Sequence, residues 1–150
     1  MRAVIQRVLN ASVHVGNNCI SRLERGLLIY LGVSENDSED DIKYLAEKII
    51  NLRIFQDEKG KMNLSLMDIS GADCMVISQF TLLGDVRKGR RPSFSTAAGE
   101  LKAETLYTAF VRYLQKQGFN PSTGQFKKTM QVTYTNDGPV TILLDSKKQF

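Results

Sequence analysis

Residues 72–83, ADCMVISQFTLL, form the longest apolar, β-branched-rich run in the chain. Strand alternation puts Met75, Ile77, Gln79 and Thr81 on one face, and Cys74, Val76, Ser78, Phe80 and Leu82 on the other. A run that is apolar on both faces predicts a central strand covered from both sides. Ser78, Gln79 and Thr81 are polar within it. A hydroxyl or amide buried without a partner costs about 1–3 kcal/mol, so each needs one. Either they bond neighbouring strands, or the strand ends at a pocket floored by residues 78–81. The pattern alone leaves both readings open.

The remaining elements follow from periodicity and turn chemistry. Residues 2–8 alternate as a first strand, and residues 11–15 and 19–23 flank a Gly16-Asn17-Asn18 turn. Residues 26–33, GLLIYLGV, predict a second central strand. Ser38 is a good helix N-cap, followed by Glu39, Asp40 and Asp41 in the first turn and by an apolar face of Ile42, Leu45, Ala46, Ile49 and Ile50. Residues 52–55 read as a short strand, 57–60 as a turn and 61–67 as extended or irregular. A basic loop at 84–92 separates the central run from a second helix near 98–117, stopped by Gly118. After a loop at 120–128, strands at 129–135 and 140–145 are joined by Asn136-Asp137-Gly138-Pro139, a hairpin signal. The sum is a single α/β domain over residues 1–150, mostly sheet, with two main helices.

Composition narrows the function. A net charge of +4 leans weakly towards an anionic partner. Cys19 and Cys74 form no C-x-x-C pair, which argues against zinc or a disulfide framework and fits a reduced, cytoplasmic setting. No run approaches membrane-spanning length, so no membrane partner is expected. His14 is the only histidine and lies in an alternating strand, where a structural role is the default. A Ser-His-Asp or Cys-His system would have to run through it, and a His-rich metal site is excluded by count; no metal or cofactor is expected. Catalysis, if present, would rest on backbone dipoles, hydroxyls or the substrate itself.

Two further clusters have a functional reading beside a plain one. Arg87, Lys88, Arg90 and Arg91 around Gly89 are either a solvated turn or a grip on a curved phosphate backbone. Phe94 just beyond them is read as core, with base stacking as the alternative. In Asp137-Gly138-Pro139, a proline directly after the turn glycine removes an N–H where a ladder would start.

MRAVIQRV at 1–8, NLRIF at 51–55, SQFTL at 78–82, KGRRPSF at 88–94 and NDGPVT at 136–141 together resemble the D-aminoacyl-tRNA deacylases, the D-tyrosyl-tRNA(Tyr) deacylase family in its bacterial form. The resemblance runs to about residue 145; the tail 146–150 falls outside it. It implies a packed α/β fold of mostly antiparallel and mixed sheets. It implies a homodimer with two sites at the interface, acting on the aminoacylated 3′ end of tRNA and not on DNA. Its reaction would be hydrolysis of the ester between a D-amino acid, or mischarged glycine, and tRNA. Carried over, Ser78, Gln79, Phe80 and Thr81 would line the pocket, with main-chain N–H groups around Gln79 and Phe80 near the scissile carbonyl. Gly138-Pro139 would be a Gly-cisPro element inserted into the partner subunit's pocket, with Arg7 and Asn136 in support. Phe126 and Met130 would stand on the adenosine side, and Arg87, Lys88, Arg90 and Arg91 would meet RNA.

That chemistry suits these residues. Rigid main-chain groups can hold an α-amino group and leave no room for an L side chain, whereas glycine presents nothing to refuse. The missing base is explained if the ribose hydroxyl beside the ester assists attack. Two rivals stand beside it: a tRNA-binding module without turnover, which shares the RNA-binding expectation, and an editing module for L-aminoacyl esters on a similar fold, which predicts the opposite handedness. A nucleophilic Thr81 is the competing mechanism within the first reading, with no base visible to activate it.

Overall fold

The computed structural model describes residues 1–150. The chain is organised around β1 (Arg2–Val15), a single long strand where the sequence pattern predicts two shorter ones. β1 pairs with β3 (Gly26–Gly32) through its first half and with β2 (Asn18–Leu23) through its second, all antiparallel. The last strand, β8 (Gln131–Asp145), runs antiparallel along almost all of β1. β6 (Asp73–Ser78) lies parallel to β3, and the two-residue β7 (Ser122–Thr123) lies parallel to β6. These six strands make one sheet. It curls until β2 approaches β7, where Ser21 Oγ donates to Thr123 O at 2.6 Å and Ser122 Oγ donates to Arg22 O at 2.8 Å. The barrel is therefore nearly closed. β4 (Phe55–Gln56) and β5 (Met62–Leu64) form a separate ribbon.

β6 is covered on both faces, as its apolar pattern demands. Cys74 and Val76 belong to the larger core, packed with Ile5, Leu27, Ile29 and the two helices. Met75 and Ile77 belong to a second core inside the curl, with Val8, Val13 and Leu28. α1 (Glu39–Ile50) starts after Ser38, whose N–H donates to Asp41 Oδ2 at 2.9 Å. α2 (Glu100–Lys116) buries Leu106, Tyr107, Phe110 and Leu114. Gly118 follows at φ +94°, the left-handed conformation that ends helices cheaply. No helix is long and apolar enough to cross a membrane.

Three local expectations are corrected. The central strand stops at Ser78 and does not continue to Leu83; Phe80–Leu83 is a turn of 3₁₀ helix. Its neighbour β3 ends at Gly32, so residues beyond 79 have no ladder to join. The predicted strand at 52–55 is reduced to Phe55–Gln56. The Asn136-Asp137-Gly138-Pro139 segment is not a hairpin. Both flanks pair with the same strand: Asn136 stands opposite Val8 and Thr141 opposite Gln6. The residues between them are a wide bulge facing the single residue Arg7.

Candidate active site

The turn after β6 is fixed by β3. Gln79 N–H donates to Leu31 O at 2.8 Å, which extends the β3–β6 ladder by one bond and then ends it. Leu82 N–H returns to Gln79 O at 3.3 Å and Gly84 N–H to Thr81 O at 3.0 Å. Outside the regular helix and strand ladders, the main-chain N–H groups of Phe80 and Thr81 donate to no acceptor within the chain. Of the main-chain donors expected at this motif, Gln79 is thus spent on the fold, while Phe80 and Thr81 are free at an exposed turn. The Gln79 side-chain amide donates to Thr81 Oγ1.

Ser78, Gln79 and Phe80 border a cavity of about 520 Å³ between the ends of β3 and β6, the start of α2 and the segment before β8. Phe126 and Met130 line it as well. Met130 reaches that place because residue 124 is glycine: an added Cβ would stand 2.5 Å from Met130 Sδ and 3.2 Å from Ile77 Cδ1. Phe126 is braced by the Tyr107 ring, 6.0 Å between centroids, and Tyr107 is itself anchored by donating to Val76 O at 2.8 Å. Burial pushes the Tyr107 hydroxyl up to about 12. The size is ordinary for a small-molecule or nucleoside pocket. Thr81 sits on the turn outside the lining.

The charged lining residues are Glu100, Lys127 and Lys128, none of which the motif reading singled out. Lys127 and Lys128 directly follow Phe126, so a basic pair beside an aromatic was the available signal. Glu100 lies in the first turn of α2 and offered none.

The basic loop stands apart from the cavity. It is closed at its base by Asp85 N–H to Ser93 O at 2.7 Å and Ser93 N–H to Asp85 O at 2.9 Å. Arg87 turns back on the same Asp85, with Nε 2.9 Å from Oδ1 and Nη2 2.6 Å from Oδ2. These bonds hold the Asp85 carboxyl down at about 2. Lys88, Arg90 and Arg91 are exposed and have no acidic partner. Phe94 is only partly buried. It meets Phe80 edge-on with ring centroids 5.0 Å apart, so the loop is attached to the motif turn rather than sunk in the core.

Gly138 and Pro139 are exposed, joined by a cis peptide bond, and do not line the cavity of their own chain. The bulge that holds them is tied at three points. Asn136 Oδ1 accepts from Val140 N–H at 3.2 Å, and Asn136 Nδ2 donates to Thr141 Oγ1 at 3.2 Å. Arg7 supplies the third, with Nε 3.0 Å from Asp137 Oδ2. A Cβ at Gly138 would lie 2.9 Å from Arg7 Nη2, so only glycine lets the guanidinium pass this close. His14 pairs with Cys19 and Gln131 in the sheet and does not line the cavity.

The family model described as D-Tyr-tRNA(Tyr) deacylase matches residues 4–145. The chain is 58% identical to the D-aminoacyl-tRNA deacylase of Thermosipho africanus over 150 residues, covering all of both proteins. It is 56% identical to that of Clostridium botulinum, again over the full length of both. A solved structure described as c-Myc DNA Unwinding Element Binding Protein superposes with a TM-score of 0.90 at 42% identity, covering 97% of this chain and 98% of that one. Another, described as "Structural Analysis of a probable eukaryotic D-amino acid tRNA deacylase", superposes at 0.74 with 20% identity, covering 95% and 97%, and bears on the fold alone.

These likenesses define a hydrolase of the aminoacyl-tRNA ester bond. The chain belongs to the D-Tyr-tRNA(Tyr) deacylase family, and the D-aminoacyl ester of tRNA is its substrate.

Proposed function

We propose that the enzyme removes D-amino acids, and glycine, from tRNA with backbone groups in place of a catalytic base. The terminal adenosine enters the cavity between Phe126 and Met130, and the ester lies against the turn at Ser78, Gln79 and Phe80. The unpaired N–H groups of Phe80 and Thr81 meet the oxyanion; one such donor is typically worth about 10²–10³ in rate. The neighbouring ribose hydroxyl assists attack by water. This reading is carried by one observation: the motif turn presents two main-chain N–H groups without acceptors beside a nucleoside-sized cavity.

Handedness is set by Gly138 and Pro139 of a second copy. In support, these residues are exposed, held by contacts of Arg7 and Asn136 to their bulge, and absent from the lining of their own cavity. The dimer completes two equivalent sites, and Lys88, Arg90 and Arg91 meet RNA beside them. A pocket that refuses L side chains by clash has nothing to refuse in glycine, so glycyl-tRNA is cleaved too.

The deciding experiment incubates D-tyrosyl-, L-tyrosyl- and glycyl-tRNA with the protein and follows release of free amino acid. The D and glycyl esters are cleaved and the L ester survives. Binding without release of any amino acid would leave a tRNA-binding module, and loss of the L ester alone would mark an editing domain of opposite hand.

A further inference from the structure

The mouth of the cavity is crossed by an ion pair. Lys127 Nζ lies 2.7 Å from Glu100 Oε1 and 2.6 Å from Oε2. Glu100 opens α2, and Lys127 lies between β7 and β8, so the pair joins two separate segments of the cavity lining. Both side chains are mostly exposed, at 67% for Lys127 and 56% for Glu100. Lys127 also holds a left-handed backbone, φ +63°, which is unusual for a residue with a side chain. Beside it Lys128 is exposed and has no acidic partner. The cavity lining therefore contains two cations, one of them neutralised by its only acid.

We propose that Lys127 is a phosphate-binding residue of the RNA end, and that Glu100 is the internal anion it exchanges for the phosphodiester. The proposal rests on the reading above, in which the terminal nucleoside occupies the cavity. A nucleoside has no charge, so it makes no use of these lysines. The phosphate on its 5′ oxygen must leave by the mouth, where both ammonium groups stand. A carboxylate and a phosphate are alternative partners for the same ammonium. The Glu100–Lys127 pair is solvated, so parting it costs little. An RNA tail brings more than one negative charge and displaces the carboxylate, whereas a small free anion competes with it poorly. Glu100 thereby discriminates in favour of polyanionic chains.

The test uses the intact protein and two probes, the trinucleotide CCA and plain adenosine, titrated at low and moderate salt. Lys127→Gly removes the ammonium and suits the left-handed backbone, so the loop is not strained by the change. It weakens CCA binding about fivefold. It also lowers the slope of log affinity against log salt by about 0.7, the value for one single-strand phosphate contact. Adenosine binds as before. Glu100→Gln has the opposite effect on CCA, tightening it a few-fold at low salt, and again leaves adenosine unchanged. The proposal is overturned if Lys127→Gly weakens both probes alike, which would make the pair a structural strap, or if it leaves the CCA salt slope unchanged. It is also overturned if the wild type binds CCA no better than adenosine. Turnover of D-tyrosyl-tRNA by the wild type is measured in parallel. Its absence would count against the deacylase reading, whereas the salt slopes judge the phosphate contact whether or not the ester is cut.

Discussion

Arg7 Nε stands 3.0 Å from Asp137 Oδ2, with Arg7 only 5% exposed. The contact is an ion pair by distance, but the Nε hydrogen is not directed along it. The directed bond of this guanidinium runs elsewhere, from Nη1 to Ile54 O. One buried side chain thus ties the bulge of β8 to the segment between α1 and β4. Arg7→Ala leaves the Ile54 carbonyl without its donor and removes the packing of the arginine stem, a loss of about 1–3 kcal/mol. For a chain of this length that lowers the melting temperature by several degrees, at about 2–4 °C per kcal/mol. Turnover falls further than the unfolded fraction explains, because Gly138 and Pro139 lose their support. Arg7→Lys keeps the charge but not the fork, and recovers little. A variant with wild-type melting and wild-type turnover would remove Arg7 from the account.

Gly32 sets the position of the motif turn. An added Cβ there would stand 2.6 Å from Leu83 Cδ2 and 3.0 Å from Gln79 O. Leu83 is buried, so it has no room to retreat. Gly32→Ala therefore pushes the turn away from β3, at an overpacking cost of about 1–3 kcal/mol. The expected result is a protein that still melts cooperatively but has lost more than about tenfold in kcat, since a misplaced donor forfeits most of its catalytic value. Unchanged kcat on the D-tyrosyl ester would show that the turn tolerates displacement.

The same turn marks where sequence reading stops. Both covers of β6 were legible, because Cys74, Val76, Met75 and Ile77 are apolar on alternating sides. Its end was not. Leu82 and Leu83 continue the apolar run, and only the termination of β3 at Gly32 shows that no partner remains. The bulge in β8 was misread as a hairpin for a related reason. Asp-Gly-Pro chemistry bends a chain in either case, and the choice depends on β1 being long enough to pair both flanks. Ser78, Gln79, Phe80, Phe126 and Met130 do share one cavity, but motif resemblance rather than spacing brought them together beforehand. Lys127 carried only the weak signal of a basic pair beside Phe126, and Glu100 carried none: an exposed acid at a helix start looks ordinary until folding sets it against Lys127 in the cavity lining.

Thr81 separates two mechanisms. Its hydroxyl accepts a hydrogen bond from the Gln79 amide, it lies outside the cavity lining, and no histidine stands near it. In the proposed route it is not the nucleophile. Thr81→Val then retains turnover within about tenfold, the loss reflecting a Gln79 side chain released from its partner. A nucleophilic threonine would instead lose about 10³-fold or more on removal of its oxygen. It would also leave an acyl-enzyme detectable by mass spectrometry of the quenched wild-type reaction.

Alkaline stability should follow from the buried tyrosines. The Tyr107 hydroxyl donates to Val76 O and is pushed up to about 12 by burial. Tyr30, partly buried beside Tyr134, is also raised to about 12, chiefly by burial. In the unfolded chain both titrate near about 10. Between these values the folded protein keeps protons that the unfolded chain has released, so the unfolded state binds fewer and stability falls as pH rises. The contribution is complete below pH of about 10 and is lost through about 12, at up to about 1.4 kcal/mol per pH unit for Tyr107 and less for the wetter Tyr30. Tyr107→Phe cannot ionise, so its alkaline limb is shallower by one proton. Its cost at neutral pH is small, because Val76 O still accepts from Gly124 N–H at 3.4 Å. Urea unfolding at pH 8, 10 and 11 measures both slopes; parallel slopes in wild type and variant would mean that Tyr107 already titrates alike in the two states.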